Sequence, residues 1–479
     1  MINNEIKKGF IITFISKYSN VFFELGIGAV LARLLTPNEF GIVAVILVFT
    51  SFFNLLSDIG IGTAIIQNKK LEKKHVQSIF NYTILIGLIT SIIFSFISYP
   101  IANFYNNDDY IKIGKYLSIA IFFFTLEIVP QAIIRKEKKF LKVEGTIVFA
   151  NVITGIIAIY QAYHGYGYFS LINRAIFKSI MLFCINFYNS KLKISTSFNF
   201  QGMKMIMVYS SFQFAFNFIN FFSRNLDNIL IGKYLGAASL GFYDRAYRLM
   251  LYPVQNLTNV ITPVLHPILS EYQNEPEVIY NSYKNILEIL AFIGMPLSVF
   301  LYFSADEIIY LMYGSQWKES VPIFKILALT VWIQMTLSST GAVFQALGKT
   351  NLLFYSGFIS SVFMVTAILV GVLVFKDLEF IAYGLLIAFL LNFLQGFFFL
   401  FKMGFKKNAL HFLKFFKIGF VSAVVLFLFF YFLVKIDFTA IIMLIYKGFL
   451  LFLSLVIGAF IMKKKYILFV CDKIKDKYF

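Results

Sequence analysis

Polar and charged side chains recur at helical spacing inside the apolar stretches of this 479-residue chain. The longest series runs through Arg245, Arg248, Tyr252, Gln255 and Asn259, and steps of three and four residues place it on one helical face. Arginine offers forked N–H donors, and amide side chains offer both donors and acceptors. A polar stripe of this length predicts a water-accessible cavity, and the sequence contains no constellation typical of catalysis.

Four other stretches carry polar side chains at similar helical spacing. They are Thr13, Lys17, Asn20 and Glu24 in the first predicted span; Ser51, Asn54 and Asp58 in the second; Gln213, Asn217, Asn220, Arg224 and Asp227 in the seventh; and Gln334, Ser338 and Gln345 in the tenth. A single polar residue in an apolar helix is explained by one interhelical hydrogen bond, whereas a whole stripe indicates a water-accessible cavity. Arg174 and Lys178 are added because they lie four residues apart, although lipid snorkelling or pairing with an acid would also explain them. The complete set of candidate cavity residues is Lys17, Asn20, Glu24, Asp58, Arg174, Lys178, Asn217, Asn220, Arg224, Asp227, Arg245, Arg248, Tyr252, Gln255 and Asn259.

The acids in this set have two readings. Glu24 and Asp58 either balance the arginines or carry a coupling proton, and the sequence favours charge balance. For Arg245 and Arg248 the alternative to ligand binding is an ion pair with Asp244 or Asp227 that holds helices together.

The composition indicates that lipid surrounds these stripes. Hydrophobic residues make up 59% of the chain and charged residues 14%, against about 25% charged residues in soluble domains. The net charge of +18 does not indicate nucleic acid binding, because the lysines form short clusters between apolar runs, at 69–74, 135–139 and 463–465. Such clusters are topology signals, and they predict that both termini lie in the cytoplasm.

The chain is predicted to be an all-α polytopic membrane protein with about 14 transmembrane helices, since one span needs about 20 apolar residues. The predicted limits are 10–32, 40–66, 79–99, 113–134, 146–162, 169–188, 205–231, 240–265, 286–303, 322–346, 352–374, 381–401, 415–434 and 439–462. The two cysteines, Cys184 and Cys471, and the four histidines show no ligand spacing, so neither a metal site nor a cofactor is expected.

The polar stripes repeat along the chain. A shift of 200 residues takes Asn20 onto Asn220 and Gly41 onto Gly241, and further matches follow at shifts of 201 and 210. Internal repeats with a site at their interface are a common transporter plan. The expected domains are two lobes of about six helices each, 1–200 and 201–404, followed by two accessory helices and a basic tail, 405–479.

Four stretches resemble a known family: LARLLTPNEFGIVAV (31–45), LDNILIGKYLGAASLGFYDRAYRL (226–249), PVLHPILSEYQ (263–273) and QALGKTNLLF (345–354). They are similar to the polysaccharide-transport (Wzx-type) flippases of the MOP exporter superfamily, which also contains the MATE exporters and the lipid II flippase. The resemblance implies a MATE-like fold of two lobes around a central cavity. It also implies translocation of undecaprenyl-pyrophosphate-linked oligosaccharide for surface polysaccharide such as O-antigen, in the bacterial cytoplasmic membrane.

Further partners expected from the resemblance are membrane lipid and the polysaccharide polymerase machinery. Three alternatives remain at this point. A cation-coupled MATE-type exporter of small molecules should have an apolar or acidic cavity, whereas the candidate residues here are mainly basic. A sugar polymerase or ligase should have large outer loops with catalytic residues, and those predicted here are short. The third alternative is the lipid II flippase itself, which the stretches 31–45 and 226–249 resemble less closely than they resemble the Wzx-type flippases.

Overall fold

Nearly all described residues of the chain lie in helices, as its long apolar stretches predict. A computed structural model describes residues 2–58, 60–68, 71–193, 221, 224–433 and 439–461. Within these ranges there is no β-strand. A backbone in lipid has no water to bond, and a helix satisfies its N–H and C=O groups internally. The predicted all-α membrane class is confirmed.

The first of two compact units comprises Met1–Gly241. In this unit α5 packs against α4 and α7, and α1 packs against α6. Its helices are α1 (Ile2–Leu34), α2 (Pro37–Asp58), α3 (Ile61–Gln67), α4 (Lys73–Tyr105), α5 (Asp109–Lys136), α6 (Phe140–Tyr163), α7 (Phe169–Ser190), α8 (224–234) and the first turn of α9 (Ala237–Ser270).

The second unit comprises Phe242–Phe479 and contains the rest of α9. An aromatic core that includes Phe393, Phe397, Phe401 and Phe412 joins its helices. These are α10 (Pro276–Phe303), α11 (Ala305–Tyr313), α12 (Ser320–Ala328), α13 (Val331–Leu337), α14 (Thr340–Ala346), α15 (Thr350–Leu369), α16 (Leu378–Phe398), α17 (Lys417–Leu433) and α18 (Ala440–Ile461).

The described residues contain ten segments that are long and apolar enough to cross a membrane, or eleven if the bent series α12–α14 is one more. The chain is therefore a multi-pass membrane protein. The helices α1 and α9, with 33 and 34 residues, are also long enough to cross. The predicted span 205–231 lies mostly outside the described residues, so the count of about 14 remains a prediction.

Two predicted spans are broken. The span 40–66 becomes α2 and α3, with Gly60 at a φ of 77° between them, a left-handed conformation that glycine adopts without steric cost. Asp58 Oδ1 accepts a hydrogen bond from the Gly62 N–H at 3.2 Å in the first turn of α3. The span 322–346 becomes α12, α13 and α14 with a bend of 45°. Thr330, between α12 and α13, donates its hydroxyl to the Leu327 carbonyl of α12 at 2.7 Å, a back-bond of the kind found where helices bend.

The two compact units and the predicted domains divide the chain differently. The predicted limits 1–200, 201–404 and 405–479 follow the span pattern, and they remain a prediction. In the second unit α17 and α18 both pack against α10, so the two expected accessory helices are part of that compact unit.

A reciprocal close contact joins the first turns of α2 and α9 inside the first unit. A Cβ atom added to Gly41 would lie 1.6 Å from the carbonyl oxygen of Ala237. A Cβ added to Gly241 would lie 2.0 Å from the carbonyl oxygen of Pro37. These are equivalent positions at the shift of 200 residues, and a self-complementary pairing is what two related repeats produce. Only glycine allows the backbones to approach so closely.

Candidate functional site

The first turns of α9 carry an ion cluster made of Asp244, Arg245 and Arg248, here called the α9 arginine cluster. Asp244 Oδ2 accepts a hydrogen bond from Arg245 Nη2 at 2.9 Å. Arg248 Nε donates to Asp244 Oδ1 at 2.7 Å and to Oδ2 at 2.9 Å. Asp244 and Arg248 are four residues apart and therefore share a helical face. Arg245 follows Asp244 directly in the chain and reaches the same carboxylate.

The three side chains differ in exposure. Asp244 is 5% exposed, Arg245 18% and Arg248 52%. The cluster itself contains two positive side chains and one negative side chain. The buried carboxylate fixes both guanidinium groups, while half of the Arg248 side chain remains accessible to a ligand. An arginine held in this way is suited to binding phosphate oxygens.

The remaining members of the α9 stripe continue from this cluster. Gln255 is exposed and Tyr252 is half-buried. Asn259 lies in α9, but its side chain is outside the described set. The predicted stripe therefore presents Arg248 and Gln255, two helical turns apart, as accessible polar groups on one helix.

Tyr313 supports the cluster from α11, a nine-residue helix too short to span a membrane. Its ring is buried, and the charges of Arg245, Asp244 and Arg248 act on its hydroxyl. Burial raises the pKa of Tyr313 to about 12, so the hydroxyl stays neutral at physiological pH. A buried, uncharged hydroxyl therefore lies beside the charged side chains of the cluster.

In the first unit the predicted α1 stripe faces α6 and α7. Asn20 Oδ1 accepts a hydrogen bond from Asn151 Nδ2 on α6. Glu24 attracts Lys178 on α7, and Arg174 on the same helix repels Lys178. Lys17 is half-buried one turn before Asn20. The tertiary structure thus joins Glu24, Arg174 and Lys178, which the sequence proposed from separate helices, into one charged group.

The other described candidates lie on α2 and α8. Asp58 lies at the break between α2 and α3. Arg224 is exposed and Asp227 is buried on α8. Asn217 and Asn220 lie outside the described residues.

Sequence reasoning missed three polar residues as site members. Asn151 is the partner of Asn20, and Glu127 on α5 is a buried acid bonded by Asn186 on α7. Each lies inside or at the edge of a predicted span, so a search for isolated polar residues as well as stripes would have found them. Their partners lie on other helices, at sequence separations that no spacing rule covers.

Comparison with known proteins places the chain among proteins of polysaccharide assembly. Residues 30–322 match a family model described as "Polysaccharide biosynthesis protein". Among curated relatives, the teichuronic acid biosynthesis protein TuaB of Bacillus subtilis is 26% identical over 358 residues, 74% of each chain. The lipopolysaccharide biosynthesis protein WzxC of Escherichia coli is 22% identical over 345 residues, 71% of this chain and 70% of WzxC.

Among solved structures, the lipid II flippase MurJ in an inward closed conformation is similar, with a TM-score of 0.74. The alignment covers 95% of this chain and all of that chain at 17% identity. The fold is therefore of the predicted transporter type.

Proposed function

The chain belongs to the polysaccharide biosynthesis protein family, and from this premise we propose that it is a flippase for a lipid-linked oligosaccharide. Its substrate would be undecaprenyl-pyrophosphate-linked oligosaccharide, which it moves across the bacterial cytoplasmic membrane. TuaB and WzxC are named for two different surface polymers. What such precursors share is a lipid anchor, a phosphate-rich link and a sugar chain, and this shared chemistry defines the proposed substrate class.

The observation that carries the proposal is the α9 arginine cluster. A guanidinium inside a membrane protein is expensive, and here the buried carboxylate of Asp244 holds two of them in place. Half of the Arg248 side chain stays exposed, so its guanidinium can also contact a ligand that brings negative charge. A pyrophosphate does so, and Arg248 is the more accessible of the two arginines.

The amide and hydroxyl groups on the same stripe suit the sugar part of the substrate. Gln255 is an exposed hydrogen-bonding group two helical turns from Arg248. The lipid tail needs no polar contact, because it stays in hydrocarbon while the head group crosses. The protein thereby lowers the free-energy barrier for the polar head group without changing any covalent bond, and we propose a transporter rather than an enzyme.

The proposal includes an orientation. Both termini and the lysine clusters at 69–74 and 135–139 face the cytoplasm, according to the positive-inside rule. The oligosaccharide is then loaded from the inner leaflet and delivered to the outer leaflet, where a polysaccharide polymerase is the expected next partner.

Export of cationic small molecules is the alternative, and the described charges disfavour it. The net positive charge of the α9 arginine cluster repels a cation. An acidic or apolar cavity would favour export of cations. Competition between a cationic dye and the lipid-linked substrate would detect such export.

The decisive experiment is deletion of the gene with analysis of the lipid extract. A flippase mutant should accumulate complete undecaprenyl-linked oligosaccharide in the inner leaflet while surface polysaccharide is lost. Re-expression of the wild-type chain is the control and should restore the polymer. If the deletion strain lacks the complete oligosaccharide, the protein acts in its synthesis and the proposal is wrong.

A further inference from the structure

A carboxyl group is buried among the helices of the first unit. Glu127 on α5 is 6% exposed. Its Oε1 accepts a hydrogen bond from Gln131 Nε2 on the same helix and another from Asn186 Nδ2 on α7, each at 2.7 Å. Glu127 lies nine residues before the end of α5, about 13 Å along the helix axis. It is therefore an acid enclosed among packed helices, away from the polar surface.

The partner of Glu127 is incompletely bonded. Asn186 has no exposed surface, and among the described residues its Oδ1 accepts no hydrogen bond. An orphaned acceptor in a fully buried side chain is uncommon and needs a reason. Asn186 uses its donor on the carboxylate and keeps its acceptor unused.

The two protonation states of a carboxyl group need opposite partners. An ionised carboxylate only accepts hydrogen bonds, whereas a protonated carboxyl has one O–H to donate. An amide offers a donor on one side and an acceptor on the other, and a half-turn about its last bond exchanges them. Asn186 can therefore donate Nδ2–H to ionised Glu127 and accept through Oδ1 from protonated Glu127.

The charges that act on Glu127 come from several elements. Asp58, at the end of α2, repels the carboxylate, and Arg135, on α5 itself, attracts it. Glu144 on α6 lies 3.8 Å from Arg135 and weakens that attraction. No titratable residue occurs in α3.

The other two helices packed on α5 are α4 and α7, and their titratable side chains interact with other residues. On α4 the buried His75 accepts a hydrogen bond from the Glu72 backbone. On α7 Lys178 interacts with Glu24 and Arg174. The charges acting on Glu127 are therefore of both signs, and its ionised form is stabilised mainly by two neutral amides.

We propose that Glu127 is a proton-exchange site, with Asn186 as the amide that reorients to bond either form. On protonation one hydronium ion gives its proton to the carboxylate and leaves as water, and the buried negative charge disappears. The amide of Asn186 then turns so that Oδ1 accepts the new O–H. On release the proton returns to water and the amide turns back. The ligand is a proton, and the site does not depend on which substrate the chain transports.

The test is infrared difference spectroscopy of the purified full chain in lipid nanodiscs. The pH titration should stay at least about one unit above 4.3, the pKa of an ordinary glutamate, so that exposed carboxyl groups remain ionised. A C=O stretching band of one protonated carboxyl should appear as the pH falls in wild type and be lost in Glu127→Gln. The matched control is Glu288→Gln, the same change at a half-buried glutamate of α10, which should keep the band.

Asn186→Leu tests the amide. The band should persist but move to higher frequency, because the protonated carboxyl has lost a hydrogen-bond partner. A band of unchanged frequency would refute the role of Asn186.

Three further outcomes would overturn the proposal. One is a band that survives in Glu127→Gln. Should that variant fail to fold, Glu127→Asp keeps a carboxyl at a shifted depth, and a spectrum identical to wild type would again refute the assignment. In the third outcome wild type shows no protonated band, and sodium raises its melting temperature in a way that Glu127→Gln abolishes. The ligand would then be a metal cation.

Discussion

Arg245 and Arg248 share one carboxylate but differ in what they can contact. Arg245 is largely buried beside Asp244, while half of the Arg248 side chain is accessible. The sequence offered two roles for the pair, ligand binding and ion pairing, and the geometry contains the ion pairs. Because half of the Arg248 side chain stays exposed while its Nε bonds Asp244, an ion pair and a binding role are compatible here.

We expect Arg248→Lys to impair transport and Arg248→Ala to impair it more. Lysine keeps the charge but loses the fork that contacts two oxygens at once. Loss of one charge-assisted contact should weaken substrate binding by about 1.5–3 kcal/mol, or about 10- to 150-fold. The measurement is surface polysaccharide and membrane abundance in the same cells.

The matched control is Arg135, which lies 3.8 Å from Glu144 and is 41% exposed. Arg135→Ala and Arg135→Lys should leave transport near wild type. Reduced abundance of Arg248→Ala, with transport lost only in proportion, would assign the arginine to structure. Normal polysaccharide at normal abundance in the Arg245→Ala, Arg248→Ala double variant would remove both residues from the binding site.

At the scale of elements, the contact between α2 and α9 depends on two glycines. Gly41→Ala and Gly241→Ala each place a methyl group within 2.0 Å of a carbonyl oxygen, so a helix must move. We expect each variant to lose about 1–3 kcal/mol of stability, the usual cost of overpacking. The measurement is the melting temperature of the purified protein, together with its membrane abundance.

Gly145→Ala on α6 is the matched control, because an added Cβ there meets nothing within 4 Å. Alanine is the better helix former by about 1 kcal/mol, so this variant should be neutral or slightly stabilised. Equal melting temperatures for Gly41→Ala and Gly145→Ala would contradict the close approach.

The last helix is fixed to the second unit by a buried ion pair. Lys447 on α18 donates to Glu307 Oε1 and to the Phe303 carbonyl, each at 2.6 Å. The two side chains are 6% and 15% exposed. Lys447→Ala should cost about 3 kcal/mol, because it leaves a buried carboxylate unpaired. The double variant Lys447→Met, Glu307→Leu should recover much of this loss, and melting temperature again measures it.

Lys325 provides the comparison, since it pairs with Asp306 at the same 2.6 Å but in a more exposed position. Solvent screens such a pair, so Lys325→Ala should change stability by no more than about 0.5 kcal/mol. If both lysine variants melted alike, burial would not be what makes the Lys447 pair important.

At the scale of the whole molecule, the open question is orientation. Cysteine labelling in intact cells answers it, after Cys184 and Cys471 are replaced by serine. An impermeant maleimide should label Asp108→Cys without permeabilisation, because the loop between the predicted spans 79–99 and 113–134 is expected outside. Leu71→Cys, within the lysine cluster at 69–74, should react only after permeabilisation. The reverse pattern would invert the topology and, with it, the direction of transport.

The sequence by itself determined the class of the protein, its long apolar stretches and its polar helix faces. Long apolar runs must be helical in lipid, because no other open structure satisfies the backbone. Helical periodicity then places Arg245, Arg248, Tyr252 and Gln255 on one face whatever surrounds them. The equivalence of Gly41 and Gly241 was also present in the sequence, as a shift of 200 residues.

Only the tertiary structure decided which polar groups satisfy one another. Asn186 lies 59 residues from Glu127, and Lys447 lies 140 residues from Glu307. No periodicity connects such positions, since they depend on which helices pack side by side. The breaks at Gly60 and within 322–346 also escaped the hydropathy pattern, which records how apolar a segment is but not where its backbone turns. The helices therefore follow from local chemistry, whereas the pairing of polar side chains follows from how the helices pack.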